Sequence, residues 1–178
     1  MTTVETLLND PDTAGVWNLD RDRTAVGFKI RNMWGLIGVK GRFTDVDGDG
    51  QITAKGAVFG RLDIQVASIH TGIGKRDEHL RSADFFDVEH FPEISVVVTA
   101  VEPGPANTAD LRATFTIKGV TAAVPLPVQI SALDDGSVRV SAKTEVDRDQ
   151  FDIGWNQLGM VGKTATVSAE AYFVRTPR

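Results

Sequence analysis

The side chains richest in chemistry lie between Lys75 and Ile94, KRDEHLRSADFFDVEHFPEI. This stretch holds two of the chain's three histidines, six acidic residues and three phenylalanines. Histidine beside carboxylates is the raw material of acid–base catalysis and of metal sites. One reading is therefore an enzyme acting on a small hydrophobic substrate through His79, Asp77 and His90, a His/Asp site within residues 77–90. The spacing favours a plainer reading. His79 and His90 are eleven residues apart and make no zinc-type pair at helical spacing. His70 falls at the end of a predicted strand. No G-x-S-x-G elbow is present to serve a serine hydrolase. The expectation is a chain that is not an enzyme, with no catalytic residue, no metal ligand and no cofactor. Its histidines then cap and hydrogen-bond at one end of the fold.

Two further motifs suggest ions or phosphate. Asp45 to Ile52, DVDGDGQI, matches the first half of a calcium loop, with Asp45, Asp47 and Asp49 at alternate positions and Gly50 at the sharp turn. Position twelve, where a glutamate should bind calcium through both oxygens, is Gly56. The flanks read as strands, so Asp47-Gly48-Asp49-Gly50 is expected to be a hairpin turn. Gly72-Ile73-Gly74-Lys75 resembles the end of a phosphate loop. The required earlier glycine is Ile69, and the required Ser or Thr is Arg76. These glycines are expected to lead from a strand into a short helix over Lys75–Ser82.

Composition bounds the rest. The chain has 178 residues, 42% of them apolar and 24% charged, enough for one domain with a sizeable core. A net charge of −5 argues against a nucleic-acid partner. The basic residues Arg21, Arg23, Lys29, Arg31, Lys40 and Arg42 alternate with apolar ones, as on the wet face of strands. There are no cysteines, hence no disulfides and no thiolate sites. The longest nearly apolar run, Ile94 to Val101, is too short for a transmembrane segment. The first fifteen residues lack a basic and then apolar leader, so the expected location is cytoplasmic.

The elements that position these residues follow a period of two. Val26, Phe28 and Ile30 share one strand face, as do Gly60, Leu62, Ile64 and Val66. Leu111, Ala113, Phe115 and Ile117 form another such series. So do Val124 to Ala132, Val138 to Thr144 and Ala165 to Phe173, each read at alternate positions. One wet face per strand means antiparallel pairing. Turns fall at Asp47–Gly50, Pro103-Gly104-Pro105 and Asp134-Asp135-Gly136. The spacing is that of an all-β sandwich or barrel of roughly eight strands. Small inward residues (Gly60, Ala113, Ala132, Ala142, Ala169, Ala171) favour a barrel with a roomy apolar interior. Residues 1–15 read as a tail or short helix, and residues 16–178 as the barrel domain.

The motifs then resemble those of the YceI-like family. The closest block is Thr71-Gly72, Arg76-Asp77-x-His79-Leu80-Arg81-Ser82, Asp84-Phe85-Phe86-Asp87 and Phe91-Pro92-x-Ile94. Trp17-Asn18-Leu19-Asp20, Gly38-Val39-Lys40-Gly41-Arg42-Phe43, Phe115 to Thr121, Arg148 to Gly154 and Val161-Gly162-Lys163 follow in the family's order. The resemblance implies an eight-stranded antiparallel lipocalin-like barrel with an elongated apolar cavity, and the Lys75–Ile94 stretch reads as a short helix and turn that closes one barrel end as a lid. It also implies a bacterial protein that binds a long-chain apolar ligand without catalysis: an isoprenoid quinone, a polyisoprenoid or a fatty amide. Many relatives carry His-Ser where this chain has Arg23-Thr24, and a histidine where it has Asn32. Any role of those histidines does not carry over.

Within that frame, the expected ligand contacts are Phe28, Ile30, Trp34, Phe43, Leu62, Ile64, Leu80, Phe85, Phe86, Phe115, Ala142 and Trp155. Arg76, Asp77, His79 and Arg81 are expected to tie the lid to the barrel rim and to meet a polar headgroup. The expected partner is one isoprenoid or lipid-like small molecule. Homodimerisation through a sheet edge stays open.

Overall fold

The structure, a computed structural model, describes residues 3–32, 37–151 and 161–177. Trp34 and Trp155 lie outside the described residues. A six-residue helix, α1 (Val4–Asn9), comes first and is capped by the Thr3 hydroxyl, which accepts from the Thr6 amide. A 3-10 turn at Pro11–Thr13 leads into the barrel. The strands are β1 (Gly15–Leu19), β2 (Ala25–Asn32), β3 (Ile37–Phe43), β4 (Val46–Ile52), β5 (Val58–Gln65) and β6 (Ile69–His70), then β7 (Glu93–Pro103), β8 (Thr108–Ile117), β9 (Val120–Ala132), β10 (Val138–Asp147) and β11 (Val161–Arg175). Helix α2 (Gly74–Arg81) lies between β6 and β7, one residue earlier than the spacing predicts.

Every pairing is antiparallel, and β1 closes the sheet against β11. β1 and β2 run along β11 as one bent stave, since Leu19 faces Phe173 and Ala25 faces Glu170. β3 and β4 likewise continue one another opposite β2 and β1. β6 extends the line of β5 against β3. The eleven segments therefore make eight staves, the closed barrel that the small inward residues favour and the resemblance implies. Closure removes the exposed edge that an open sheet would leave.

One turn is not where local signals put it. Asp47 to Gly50 is the middle of β4, paired residue by residue with Asp63 to Gly60 of β5. Asp47 and Asp49 face water, while Gly48 and Gly50 face the interior. The chain reverses later, at Thr53–Ala57, where Gly56 adopts φ +82° and the Thr53 amide donates to the Ala57 carbonyl at 2.8 Å. The ladder with β1 and β5 outweighs the Asp-Gly turn preference. The other two expected turns are present, at Gly104 and at Gly136. Ala132, expected inward, is exposed because it ends β9 at the rim.

Candidate functional site

The barrel interior divides along its axis. Toward α2 it is solid. Phe28, Phe43, Ile64, Leu80, Phe85, Ile94, Phe115 and the fully buried Phe151 form one cluster, with Ile30 and Phe86 packed against it. The Phe43 ring lies 5.7 Å from Phe28 and 6.3 Å from Phe86, in tilted and edge-on geometry. Gly41 faces Phe28 across β2–β3, and a side chain there would collide with the Phe28 ring. This is a physical reason for the glycine in the Gly38–Phe43 motif.

Toward α1 the barrel is hollow. A cavity of about 180 Å³ is lined by aliphatic residues from around the wall, among them Leu62, Val96, Val98, Leu126, Val128 and Val140. Its width comes from small inward residues. Gly50 faces Gly60 across β4–β5. Ala142 pairs with Ala169 across β10–β11, and Ala171 follows two residues on. A Cβ on Gly60 would meet nothing closer than 3.7 Å, so no steric clash requires glycine there. Leu7 and Leu8 of α1 cover the mouth. Trp17 also borders the cavity, and its indole N–H is satisfied by the Thr13 carbonyl at 2.9 Å.

Of the expected ligand contacts, the structure brings Leu62 and Ala142 to the cavity. Phe28, Ile30, Phe43, Ile64, Leu80, Phe85, Phe86 and Phe115 pack into the solid half instead. Large side chains facing each other leave no room between them. Sequence reasoning did not single out Leu7 and Leu8. Their signal was the i, i+3, i+4 spacing of Val4, Leu7 and Leu8, which marks one face of a helix.

The polar lid residues form a hydrogen-bonded seam at the α2 end. Buried Asp77 accepts from the Thr71 amide at 2.9 Å and from the Thr71 hydroxyl. Arg76 donates to the Thr71 hydroxyl and carbonyl, each at 2.8 Å. Arg81 donates to the Ala67 and Ile69 carbonyls, each at 3.1 Å. Burial pushes the Asp77 carboxyl up, but the two Thr71 bonds and the charges of His70 and Arg81 outweigh it, so its pKa lies below the ordinary value. Phe91 reaches across to pack against Gly119 in the β8–β9 turn.

The histidines pair with three different aspartates. His70 lies 3.7 Å from Asp77, His79 bonds Asp84 at 3.0 Å, and His90 bonds Asp87 at 2.9 Å. The bond to Asp87 raises the His90 pKa. Among the described residues, no three histidine or acidic side chains gather into a metal-holding group. Among them too, no helix is long and apolar enough to cross a membrane.

A closed eight-stranded antiparallel barrel with an aliphatic cavity is the architecture of lipocalin-like proteins. The profile of the YceI-like domain matches residues 17–173, and the chain belongs to that family. A UPF0312 protein of Shewanella sp. (strain ANA-3) is 31% identical over 128 residues, 70% of this chain. That match spans 65% of the Shewanella protein's length. A UPF0312 protein of Pseudomonas syringae pv. tomato is 34% identical over 62% of this chain and 56% of its own. Among solved structures, Burkholderia cenocepacia BcnA superposes with a TM-score of 0.79 at 20% identity, covering 86% of this chain and 98% of BcnA. A polyisoprenoid binding domain from Saccharophagus degradans, implicated in plant cell wall breakdown, superposes at 0.74 with 16% identity, over 90% and 98% of the two chains. At these identities the structures share the fold.

Proposed function

We propose that this chain is a non-catalytic carrier for the apolar tail of a long-chain lipid, such as an isoprenoid quinone, a polyisoprenoid or a fatty amide. The observation that carries the reading is the aliphatic cavity inside a closed barrel. The polyisoprenoid-binding description of the Saccharophagus domain supports it through the shared fold. An aliphatic wall attracts a ligand by removing its apolar surface from water. Association loses roughly 4–15 kcal/mol, and micromolar binding needs about 8 kcal/mol net. At about 0.8 kcal/mol per buried methylene, the tail must bury on the order of 15–30 carbons. A short hydrocarbon would not suffice, which favours long-chain cargo. Cytoplasmic residence and homodimerisation belong to the same proposal, checked by cell fractionation and light scattering.

The test is mass spectrometry of an organic extract from detergent-free protein, beside a mock purification. The wild type is expected to retain one lipid at near-stoichiometric amount, and Gly60→Leu to lose at least 90% of it. His79→Ala is expected to keep the cargo, because His79 sits on the lid surface away from the cavity. A wild type that carries no lipid and shows no saturable binding of added geranylgeraniol would overturn the reading. Turnover of a hydrophobic substrate, abolished by His79→Ala, would instead favour the enzyme.

A further inference from the structure

The cavity is too small for the tail that the carrier reading requires. A dry cavity of roughly 150 Å³ takes one benzene, and this one holds about 180 Å³. A chain of fifteen or more carbons exceeds it, so part of the present structure must yield. The α2 end is closed by packed aromatics and by the Thr71–Asp77–Arg76 and Arg81 hydrogen bonds. The α1 end is held differently. Val4 packs with Ala109 and Val128, and Leu7 and Leu8 turn toward the cavity. Among the described residues, the backbone bond from α1 to a barrel turn is the Val4 amide to the Ala106 carbonyl, a long 3.4 Å. No ion pair joins α1 to the barrel among those residues.

The segment is anchored just downstream of the helix. The Thr13 carbonyl receives the Trp17 indole N–H, and the Ala14 carbonyl receives Arg175 at 2.6 and 3.0 Å. Residues from Thr13 onward are therefore pinned to the wall, and α1 pivots on the stretch from Asn9 to Asp12 once one bond across it, from the Thr13 hydroxyl to the Leu7 carbonyl at 2.8 Å, is broken. A six-residue helix has little stability of its own, so it stays in place only while its apolar face is covered.

Resting on the carrier reading, we infer that α1 is a displaceable stopper. A linear apolar chain enters through the mouth that α1 covers, and its outer carbons take the place of Leu7 and Leu8. The polar residues that border the cavity are not free to receive a headgroup inside it: Asp49, Gln51 and Arg61 are exposed to water, and the Trp17 indole N–H is bonded to the Thr13 carbonyl. The polar end of the ligand therefore stays at the α1 rim, in contact with water.

The absence of cysteine makes the test direct. Leu7→Cys and, separately, Leu80→Cys in the full chain each carry one thiol, on α1 and on α2. Alkylation by iodoacetamide is timed with and without saturating geranylgeraniol, a linear C20 alcohol. Ligand is expected to accelerate Leu7→Cys at least tenfold and to leave Leu80→Cys unchanged. A second variant, Leu8→Asp, is expected to raise the association rate of geranylgeraniol at least fivefold. Saturable binding that slows or leaves unchanged the Leu7→Cys reaction would overturn the stopper, as would acceleration at Leu80→Cys. Absence of saturable binding in the wild type overturns the carrier reading itself, and the stopper with it.

Discussion

The two ends of this barrel are closed by the same kind of object, a short helix, but by different forces. At the α2 end the helix sits on a filled interior. Its Arg76, Asp77 and Arg81 side chains are spent on backbone and hydroxyl partners within the rim, with Asp77 buried at the centre. At the α1 end the helix sits over empty space and is held chiefly by three aliphatic side chains, beside the long Val4–Ala106 bond and the Thr13–Leu7 bond. Burying a side chain of this kind contributes about 1.5–3 kcal/mol, which a bound hydrocarbon can supply in its place. A directional network has no such substitute, because a ligand tail cannot accept from Arg81 or donate to Asp77. The contrast shows how one fold can keep one end rigid and make the other exchangeable.

Stability measurements on four variants would sharpen or break this comparison. The largest effect is expected at the solid end. Phe115→Ala should lose about 3–5 kcal/mol in urea unfolding, the usual consequence of emptying a packed aromatic site. Val98→Ala, beside the cavity, should lose about 1 kcal/mol, because one side of Val98 already faces empty space. Equal losses would mean that the two halves are packed alike.

Next comes the seam. Asp77→Ala should lose about 2–3 kcal/mol, since it leaves the Thr71 donors without their charged acceptor. The Asp77 carboxyl titrates lower in the folded chain than in the unfolded one. Its contribution is therefore complete above the unfolded value, about 3.9, and is lost as pH falls through the lower folded value. The difference in stability between wild type and Asp77→Ala should shrink on acidification below about pH 4. A difference that stays constant down to pH 2 would remove Asp77 from the seam.

The smallest effect is expected at the hollow end, with the opposite sign. Gly60→Leu should gain about 0.5–1 kcal/mol, because it replaces a strand glycine and fills a void. Its Cβ meets only ordinary contacts. A loss of stability would show that Gly60 is required by the backbone rather than by the space.

Much of the architecture was legible in local pattern. The alternation at Val26–Ile30, Leu62–Ile64 and Leu111–Ile117 gives strands with one buried face, and the structure buries those faces. The lid was legible because Leu80, Phe85 and Phe86 stand among charged residues in a stretch with no strand period. The site was legible only in part. Phe28 and Leu62 look equivalent along the chain, as inward apolar residues of two strands, yet one packs in the solid half and the other lines the cavity.

That division is set by register. Asp47 to Gly50 carries a strong local turn signal, and it became a strand because β1 and β5 supply partners distant in sequence. The same pairing brings Gly50 opposite Gly60 and so opens the space. Helix α1 shows the reverse dependence. Its Val4, Leu7 and Leu8 spacing was present from the start, but so short a helix persists only where an apolar mouth covers it. Period and residue type are properties of neighbours along the chain, and they specify the barrel. Which end is hollow depends on which side chains meet across it, and only the closed sheet brings those together.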